Sequence, residues 1–280
     1  MAGGWSVGIG LSNPQTYGAN TSTSSTTTIT TGSSANTKGS WTQLVSSTNY
    51  DASWALLFVD LRNPSTSNVT YDFAVGPSGS ESIFLNNLYC NWVDSTIPHL
   101  LLPISIPAGS RIAVRAQSNN ASDTVGAACI LFDSNFNDQG SGNGVDTYGW
   151  NALSNDYGMP ITSGAGNGTF GSFDEITSST TYDYRGVFIA MDSQSATADG
   201  VTGYPTTLLD IAVGPVGSEQ VVIPGINVGW FSNSGSQCGG NPGFTQMVPC
   251  AIPAGSRISA RLAASNSSPL SIGATFYGVR

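Results

Sequence analysis

Short runs of β-branched and aromatic residues alternate with polar, turn-forming residues along the whole chain. The helical period of about 3.6 residues is absent, whereas runs such as "ALLFV" (55–59) and "SRIAVRAQ" (110–117) have the length and composition of strands. Gly, Pro, Asn and Ser separate these runs, as expected for turns. The pattern predicts strands in the first half near 25–31, 40–46, 54–60, 71–76, 80–86, 98–105, 110–118 and 124–133.

The second half of the chain repeats the first. "IPAGSRIAVR" (106–115) returns as "IPAGSRISAR" (252–261), and "DFAVGPSGSE" (72–81) returns as "DIAVGPVGSE" (210–219), each pair with eight identities in ten. The order of the shared segments is the same in both halves. This indicates an internal duplication in which strands were kept and loops diversified.

We therefore predict an all-β chain of two tandem antiparallel β-sandwich, jelly-roll-like domains. The second copy has two longer loop segments, within 193–209 and within 230–244. The predicted organisation is an N-terminal arm (1–15), repeat 1 (16–133), an Asn/Gly-rich linker (134–146) and repeat 2 (147–280).

The repeated "IPAGSR" element is interpreted as structural. Its Pro-Ala-Gly sequence predicts a tight turn in which Gly109 takes a left-handed conformation. The residues that follow alternate as a strand does, so Arg111 and Arg115 lie on one face while Ile112 and Val114 lie on the other. The sequence predicts an edge-compatible strand with one polar face.

Charged residues at equivalent positions of both copies are the candidate site residues. One interpretation is catalysis by paired carboxylates, for example at a glycosidic bond; the other is Asp/Glu–Arg pairs that fix strand register or mediate contacts. We favour the second, because a duplicated active site would be unusual and no His or Lys is placed to assist. The predicted structural charge pairs involve Asp72, Glu81, Arg111 and Arg115 in repeat 1 and Asp210, Glu219, Arg257 and Arg261 in repeat 2.

Composition narrows the function. Charged residues make up 9% of the chain and the net charge is −9, so a basic surface for nucleic acid or anionic membranes is not expected. The four cysteines form no CxxC pair, and His99 is the only histidine, so no zinc site is predicted. Asp133 begins a calcium-like spacing, but Gly144 stands where such a loop needs an acidic residue. We predict no catalytic, metal-binding or cofactor-binding residues and no cofactor.

Tryptophans are the candidate contact residues. Trp41 corresponds to Phe173 of the second copy and is predicted to lie in the core. The candidates for surface contacts are Trp5, Trp92 and Trp230. Exposed tryptophans also stack on sugars, so a glycan is the alternative partner.

"LDIAVGPVGSEQVVIP" (209–224) together with "IPAGSRISAR" resembles elements of tailed-bacteriophage virion structural proteins, those that decorate the capsid or form tail and neck accessories. The resemblance implies a non-enzymatic protein, commonly a jelly-roll trimer, that contacts the major capsid protein or other virion subunits. It implies no catalytic residues. The expected location is the virion, after synthesis in the host cytoplasm. The alternative function is a phage tail, receptor-binding protein that recognises host glycans through the loops of repeat 2.

Overall fold

In a computed structural model the described part of the chain is built from β-strands. The described residues are 11–19, 26–60, 68–91, 99–134, 144–149, 158–192, 206–231, 238–239, 245, 247–265 and 268–280. None of these residues belongs to a helix that is long and apolar enough to cross a membrane. The prediction of an all-β sandwich fold is confirmed.

Nineteen strands are present in the described segments. The first nine are β1 (Leu11–Tyr17), β2 (Thr27–Thr30), β3 (Thr42–Val45), β4 (Ala52–Asp60), β5 (Asn68–Val75), β6 (Ser82–Asn91), β7 (His99–Ile106), β8 (Ile112–Ser118) and β9 (Thr124–Ser134). The others are β10 (Val145–Tyr148), β11 (Met159–Thr162), β12 (Asp174–Thr177), β13 (Tyr184–Asp192), β14 (Thr206–Val213), β15 (Gln220–Phe231), β16 (Cys238–Gly239), β17 (Val248–Ile252), β18 (Ile258–Ala264) and β19 (Ser271–Val279).

The chain divides into two compact units. Unit 1 comprises Met1–Asn86 and Ile97–Val145, and unit 2 comprises Asn87–Thr96 and Asp146–Arg280. The backbone therefore passes between the units three times. The boundaries predicted for the arm, repeats and linker stay a prediction, although β1 already begins at Leu11 within the predicted arm.

Unit 1 has the strand order of a jelly roll. One sheet runs β1-β9-β4-β7, with β2 also paired to β9, and the other contains β6-β5-β8-β3. Counting the eight strands from β2 to β9, the orders are 1-8-3-6 and 2-7-4-5. All of the pairings named here for which a register is known are antiparallel.

Unit 2 has the same order. Strands β11-β19-β13-β17 pair in this order in one sheet, in which β10 also lies next to β19, and β12-β18-β14-β15 form the other, with β16 added beyond β15. The two-residue strand β16 lies in the segment that sequence comparison identifies as longer in the second copy. The extra segment thus adds to the fold at its periphery and leaves the eight-strand order unchanged.

Alternating side chains explain how the sandwich of unit 1 closes. Ala55, Leu57 and Val59 of β4 are at most 2% exposed, while the residues between them are half-buried. Tyr71 and Phe73 of β5 are fully buried and supply the largest side chains of this core. Burial of one face of each sheet is the main stabilising contribution.

The strand after the repeated turn differs from the prediction. Strand β8 lies between β3 and β5, so it is an internal strand and not an edge strand. Of its seven residues only Arg115 is not fully buried, and β18 shows the same pattern with Arg261. The predicted edge position is wrong because β3 pairs with β8 on the side away from β5, and Gly39 N extends this pairing by donating to Ala116 O at 2.9 Å.

Candidate functional site

Each unit has one end at which three turns are tied together, which we call the retained end. In unit 1 it consists of residues 46–51, 76–81 and 107–111, which join β3 to β4, β5 to β6 and β7 to β8. The repeated "IPAGSR" element forms the third turn. Ser110 N donates to Pro107 O at 3.2 Å, and Gly109 has the predicted left-handed φ of 78°.

Thr48 joins the first turn to the third. Its amide donates to Ser110 O at 2.9 Å, its carbonyl accepts from Gly109 N at 2.8 Å, and its hydroxyl donates to Pro107 O at 2.9 Å. Asp51 accepts a bond from Ala108 N at 2.7 Å. Thr48 is 3% exposed, so its own bonds are sheltered from water, and together with the Asp51 bond they fix the two turns relative to each other.

Unit 2 repeats this arrangement atom for atom. Thr180 N donates to Ser256 O, Gly255 N donates to Thr180 O and the Thr180 hydroxyl donates to Pro253 O, each at 2.8 Å. Ala254 N donates to Asp183 Oδ1 at 2.7 Å. The recurrence of Thr48 and Asp51 in the second copy therefore has a structural cause.

An arginine joins the second turn to the third. Arg111 Nη1 donates to Glu81 Oε1 at 3.0 Å and to Gly76 O at 3.1 Å, and Gly79 N donates to Glu81 Oε2 at 3.0 Å. Burial alone would raise the pKa of Glu81. Bonds from the backbone amides of Glu81 and Gly79 and from Arg111 outweigh burial and hold the pKa below its ordinary value.

In unit 2, Arg257 makes the same bonds, to Glu219 Oε1 at 3.2 Å and to Gly214 O at 3.1 Å. One partner differs between the units. Arg111 Nε donates to the amide oxygen of Gln43 at 3.1 Å, whereas Arg257 Nε donates to the carboxylate of Glu175 at 2.6 Å. Glu175 is 45% exposed, so this additional ion pair is close to solvent.

A second group of charges lies on the outer face of the β5–β8 pair, and we call Lys38, Trp41, Asp72 and Arg115 the outer-face cluster. Arg115 Nε and Lys38 Nζ each lie 2.8 Å from a different oxygen of Asp72. The guanidinium of Arg115 lies 4.5 Å from the centre of the Trp41 ring, a cation–π contact. Asp72 is 2% exposed, so both cations stabilise a buried carboxylate.

The equivalent group in unit 2 is built differently. Arg261 Nη2 lies 2.8 Å from Asp210 Oδ2, but Asp210 Oδ1 accepts a backbone bond from Gly225 N at 2.8 Å. The guanidinium of Arg261 lies 4.5 Å from the Phe170 ring centre and 4.7 Å from that of Phe173. Phe170 occupies the sequence position that corresponds to Lys38.

The structure brings the eight predicted charged residues together as four pairs, two in each unit. Each arginine has its own carboxylate: Arg115 with Asp72, Arg111 with Glu81, Arg261 with Asp210 and Arg257 with Glu219. Each of these four carboxylates also accepts a hydrogen bond from a further group, Lys38 or a backbone amide. The described residues contain no group of three or more His, Cys, Asp or Glu side chains that could hold a metal ion.

Several other predicted residues lie elsewhere. Trp5 and Trp92 fall outside the described residues; Trp230 is part of β15, where its backbone pairs with Thr206. Trp41 was predicted to lie in the core, but it is half-buried beneath Arg115 on the outside of the sheet. A ring that packs against a guanidinium and a ring that packs in the core are both aromatic. The sequence therefore does not distinguish these two positions for Trp41.

Two cysteines have thiols whose pKa is raised by burial. Cys90, Cys129 and Cys250 form no disulfide, and Cys90 and Cys129 are buried. Burial raises the pKa of Cys129 to about 12 and that of Cys250 to about 11. Neither thiol is activated as a nucleophile, since a reactive cysteine needs a lowered pKa.

Sequence reasoning missed two kinds of residue in these networks. Thr48 and Thr180 lie in the repeated "SST" segment, so their recurrence was a usable signal. Lys38 is the only lysine in the chain, but its counterpart is Phe170, so comparison of the copies gives no hint of its role.

No protein-family profile and no curated protein matches this chain. Three solved structures show distant likeness. A chain from the atomic structure of Sulfolobus Turreted Icosahedral Virus is 10% identical, with a TM-score of 0.38 over 96% of this chain and 90% of that one. PNGase F, a glycosylasparaginase from Flavobacterium meningosepticum, is 9% identical, with a TM-score of 0.35 over 96% of both chains. The CBM22-1-CBM22-2 tandem domain of Paenibacillus barcinonensis Xyn10C is 10% identical, with a TM-score of 0.26 over 95% of this chain and 90% of that one.

Proposed function

We propose that this chain is a non-enzymatic structural protein of a virion, which associates with itself as a trimer and decorates a bacteriophage capsid surface. The observation that supports the proposal most directly is the use of the retained charges. Eight charged side chains shared by the two copies hold turns and strands in place within each unit. Retention for shape is what a scaffold requires, whereas an active site would need charges directed at a substrate.

The fold and the composition support the same proposal. Jelly rolls are a common architecture of viral shell proteins, although they also occur in lectins and other classes. A surface with 9% charged residues and many Gly, Ser and Thr residues favours contacts through shape and neutral polar groups. A lasting interface of this kind buries roughly 1,200–2,000 Å² of surface, which two sandwich units can supply.

Self-association is tested by light scattering of the full chain at 50 mM and at 500 mM NaCl. We expect a trimer in both buffers, because the charges of both networks are engaged inside each unit and salt screens mainly exposed charges. A trimer that dissociates at high salt would argue against a neutral interface. A monomer at every concentration up to about 100 μM would contradict self-association.

Binding to the particle is tested by co-sedimentation with purified capsid shells that lack the protein. We expect saturable binding that survives 500 mM NaCl, with serum albumin as the negative control. A chain that is monomeric and does not bind shells would overturn the proposal. Hydrolysis of a host polysaccharide by the purified protein would replace it with an enzymatic function.

A further inference from the structure

The most exposed of the large hydrophobic side chains in the described part of the chain is that of Val216, at 77%. The next is Tyr182, at 46%. Val216 belongs to the turn between β14 and β15, residues 215–218, which we call the valine turn. A single exposed apolar residue is ordinary in itself, so its meaning depends on a comparison with unit 1.

The fold does not need a valine at this position. In both units the fourth residue of the turn donates its amide to the carbonyl of the first at 3.0 Å, and the third is a glycine, with φ of 81° in unit 2 and 85° in unit 1. Unit 1 forms this turn with Ser78 in place of Val216. The valine therefore contributes an apolar surface that the turn itself does not use.

The valine turn is fixed by bonds within unit 2. Glu219 Oε2 accepts from Gly217 N at 2.9 Å, and Glu219 Oε1 accepts from Arg257 Nη1 at 3.2 Å. Arg257 Nη1 also donates to Gly214 O at 3.1 Å, which ties the valine turn to the repeated "IPAGSR" turn. Because the turn is already ordered, burial of Val216 against another surface costs little conformational entropy.

A cavity of about 810 Å³ opens at the retained end of unit 1. Val75, Pro77 and Pro107 supply apolar surface, and most of the other lining residues are glycines and serines. Small-molecule sites have volumes of roughly 300–1,000 Å³, so a cavity of this size has room for the end of a turn. The serine hydroxyls can donate to and accept from the peptide groups of an entering turn.

The charges at this end of unit 1 have partners within the unit. Residues 46–51, 76–81 and 107–111 contain Arg111, Glu81 and Asp51, with a net charge of −1. Arg111 pairs with Glu81, and Asp51 accepts a bond from Ala108 N. An apolar side chain that enters the cavity therefore separates no ion pair.

The equivalent end of unit 2, residues 178–183, 214–219 and 253–257, has the same three kinds of charge. Glu175 of β12, which bonds to Arg257 Nε, adds one more negative charge. Because both ends are slightly negative, charge attraction does not bring them together. A contact between them depends on apolar burial, and salt should not weaken it.

We propose that the valine turn of one copy inserts Val216 into this cavity of a second copy. The inference rests on the self-association proposed above and names the two surfaces that form it. The occupant is a second copy because this chain presents both the projecting side chain and the recess, and Val216, being 77% exposed, does not fill the cavity of its own chain. Contacts between unlike surfaces close into rings or continue as filaments, and the proposed trimer is the closed case.

Val216 is the anchor of this contact and not its whole area. A lasting interface buries roughly 1,200–2,000 Å², and the turns around the valine and around the cavity would supply the remainder. Loss of a central apolar anchor has a larger effect on affinity than loss of a residue at the edge of an interface. The anchor is therefore the position to test.

The first test is Val216→Ser in the full chain, which installs the residue that unit 1 has at the equivalent position. We expect the concentration at which half of the trimer dissociates, measured by light scattering, to rise at least ten-fold. Leu208→Thr is the matched control, because Leu208 is 42% exposed on β14 and repeat 1 has Thr70 at the equivalent position. It should leave that concentration unchanged.

The second test fills the cavity. Ser46→Tyr places a ring in the recess and should weaken association at least ten-fold. Ser33→Tyr is the control, because Ser33 is also exposed but lies between β2 and β3, outside the cavity lining. Circular dichroism of each variant verifies that the fold is retained.

The third test identifies the partners of the contact by cross-linking. Chains with Val216→Cys are mixed with chains with Ser78→Cys, oxidised mildly and separated on a non-reducing gel, with the wild-type chain as the control for the native cysteines. We expect a cross-linked dimer in the mixture and none with either variant alone. A dimer formed by Val216→Cys alone would mean that like surfaces meet, and would overturn the proposal.

The outcomes separate this inference from the proposed function. A wild-type trimer that persists unchanged in Val216→Ser overturns the inference and leaves self-association standing. A monomeric wild-type chain overturns both. If Val216→Ser lowers co-sedimentation with capsid shells but leaves the trimer intact, the valine turn contacts the shell and not a second copy, which also overturns the inference.

Discussion

The two units share one fold but hold their outer-face aspartates in different ways. At the retained ends, Thr48 and Thr180 make the same set of backbone bonds with nearly the same lengths. On the outer faces, Asp72 is held by two cationic side chains, whereas Asp210 is held by one cation and one backbone amide. The comparison shows that the turns use one set of hydrogen bonds in both units. The buried aspartate on the sheet, in contrast, is compensated in two different ways.

The two regions differ because buried backbone groups and buried carboxylates place different demands on their hydrogen-bond partners. Backbone amides and carbonyls in a buried turn require specific partners, and a threonine at one position supplies three of them. A buried carboxylate requires donors but does not require that they come from a particular residue. Asp210 therefore needs no lysine at position 170, because Gly225 N bonds to it, and the Phe170 ring packs on Arg261 instead.

The largest expected effect comes from Asp72→Asn. This change leaves Lys38 and Arg115 without their shared carboxylate, and removal of one partner from a buried ionic group costs about 3–5 kcal/mol. Asp210→Asn should cost less, about 1.5–3 kcal/mol, because one cation is affected and Gly225 N still has an acceptor. Hydrogen exchange of β5 and β14 peptides in the full chain measures both losses; equal losses would contradict the comparison.

The next effect concerns pH. Because the pKa of Lys38 is lowered to about 8 in the folded chain and is 10.5 in the unfolded chain, the unfolded state binds more protons between these values. The penalty for the buried ammonium is complete below pH 8 and is relieved as pH rises toward 10.5. Relative to Lys38→Met, the wild-type chain should gain about 1–3 kcal/mol of unfolding free energy across this window.

The variant also supplies the control for this pH experiment. The raised pKa values of Tyr50 and Cys129 reduce stability at high pH in both proteins, so they cancel in the difference. The measurement is denaturant unfolding at pH 7.5, 8.5 and 9.5, with hydrogen exchange of the β5 and β8 peptides as the readout. A difference that does not change with pH would show that the buried amine does not titrate in this range.

The smallest expected effect concerns the retained ends. Thr48→Val and Thr180→Val each remove a buried hydroxyl that donates to a proline carbonyl and accepts from a backbone amide. Each should cost its own unit about 1–2 kcal/mol, and the two losses should be equal. Hydrogen exchange of the turns at 107–111 and 253–257 gives the two values. Unequal losses of stability would contradict the expectation that equivalent hydrogen bonds stabilise the two units equally.

Much of this fold follows from the sequence pattern. The eight strands predicted in the first half correspond to β2–β9. They could be predicted because apolar residues alternate within each strand and Gly- or Pro-containing turns separate the strands. The pairing of Arg115 with Asp72 on the neighbouring strand also follows from the strand period, whereas Arg111 and Glu81 meet between two turns. Arg111 and Arg115 are four residues apart, about 13 Å along a strand, so each needs its own carboxylate.

Other features depend on contacts between segments that are distant in sequence. The internal position of β8 arises because β3 and the segment before it pair with β8, and its own sequence cannot reveal that neighbour. Trp41 gives the same signal whether it packs in the core or under a guanidinium. Repeat 2 has Phe170 in place of Lys38, so only the three-dimensional arrangement connects Lys38 to Asp72.

One structural feature limits how the molecule can be dissected. Asn87–Thr96, between the middle of β6 and the start of β7, belongs to unit 2, where the hydroxyl of Tyr277 donates to Asn87 O at 2.7 Å and accepts from Tyr89 N at 2.8 Å. Tyr277 is fully buried, and burial raises the pKa of its hydroxyl. A fragment cut at the repeat junction would therefore remove both hydrogen-bond partners of this buried phenol from unit 2.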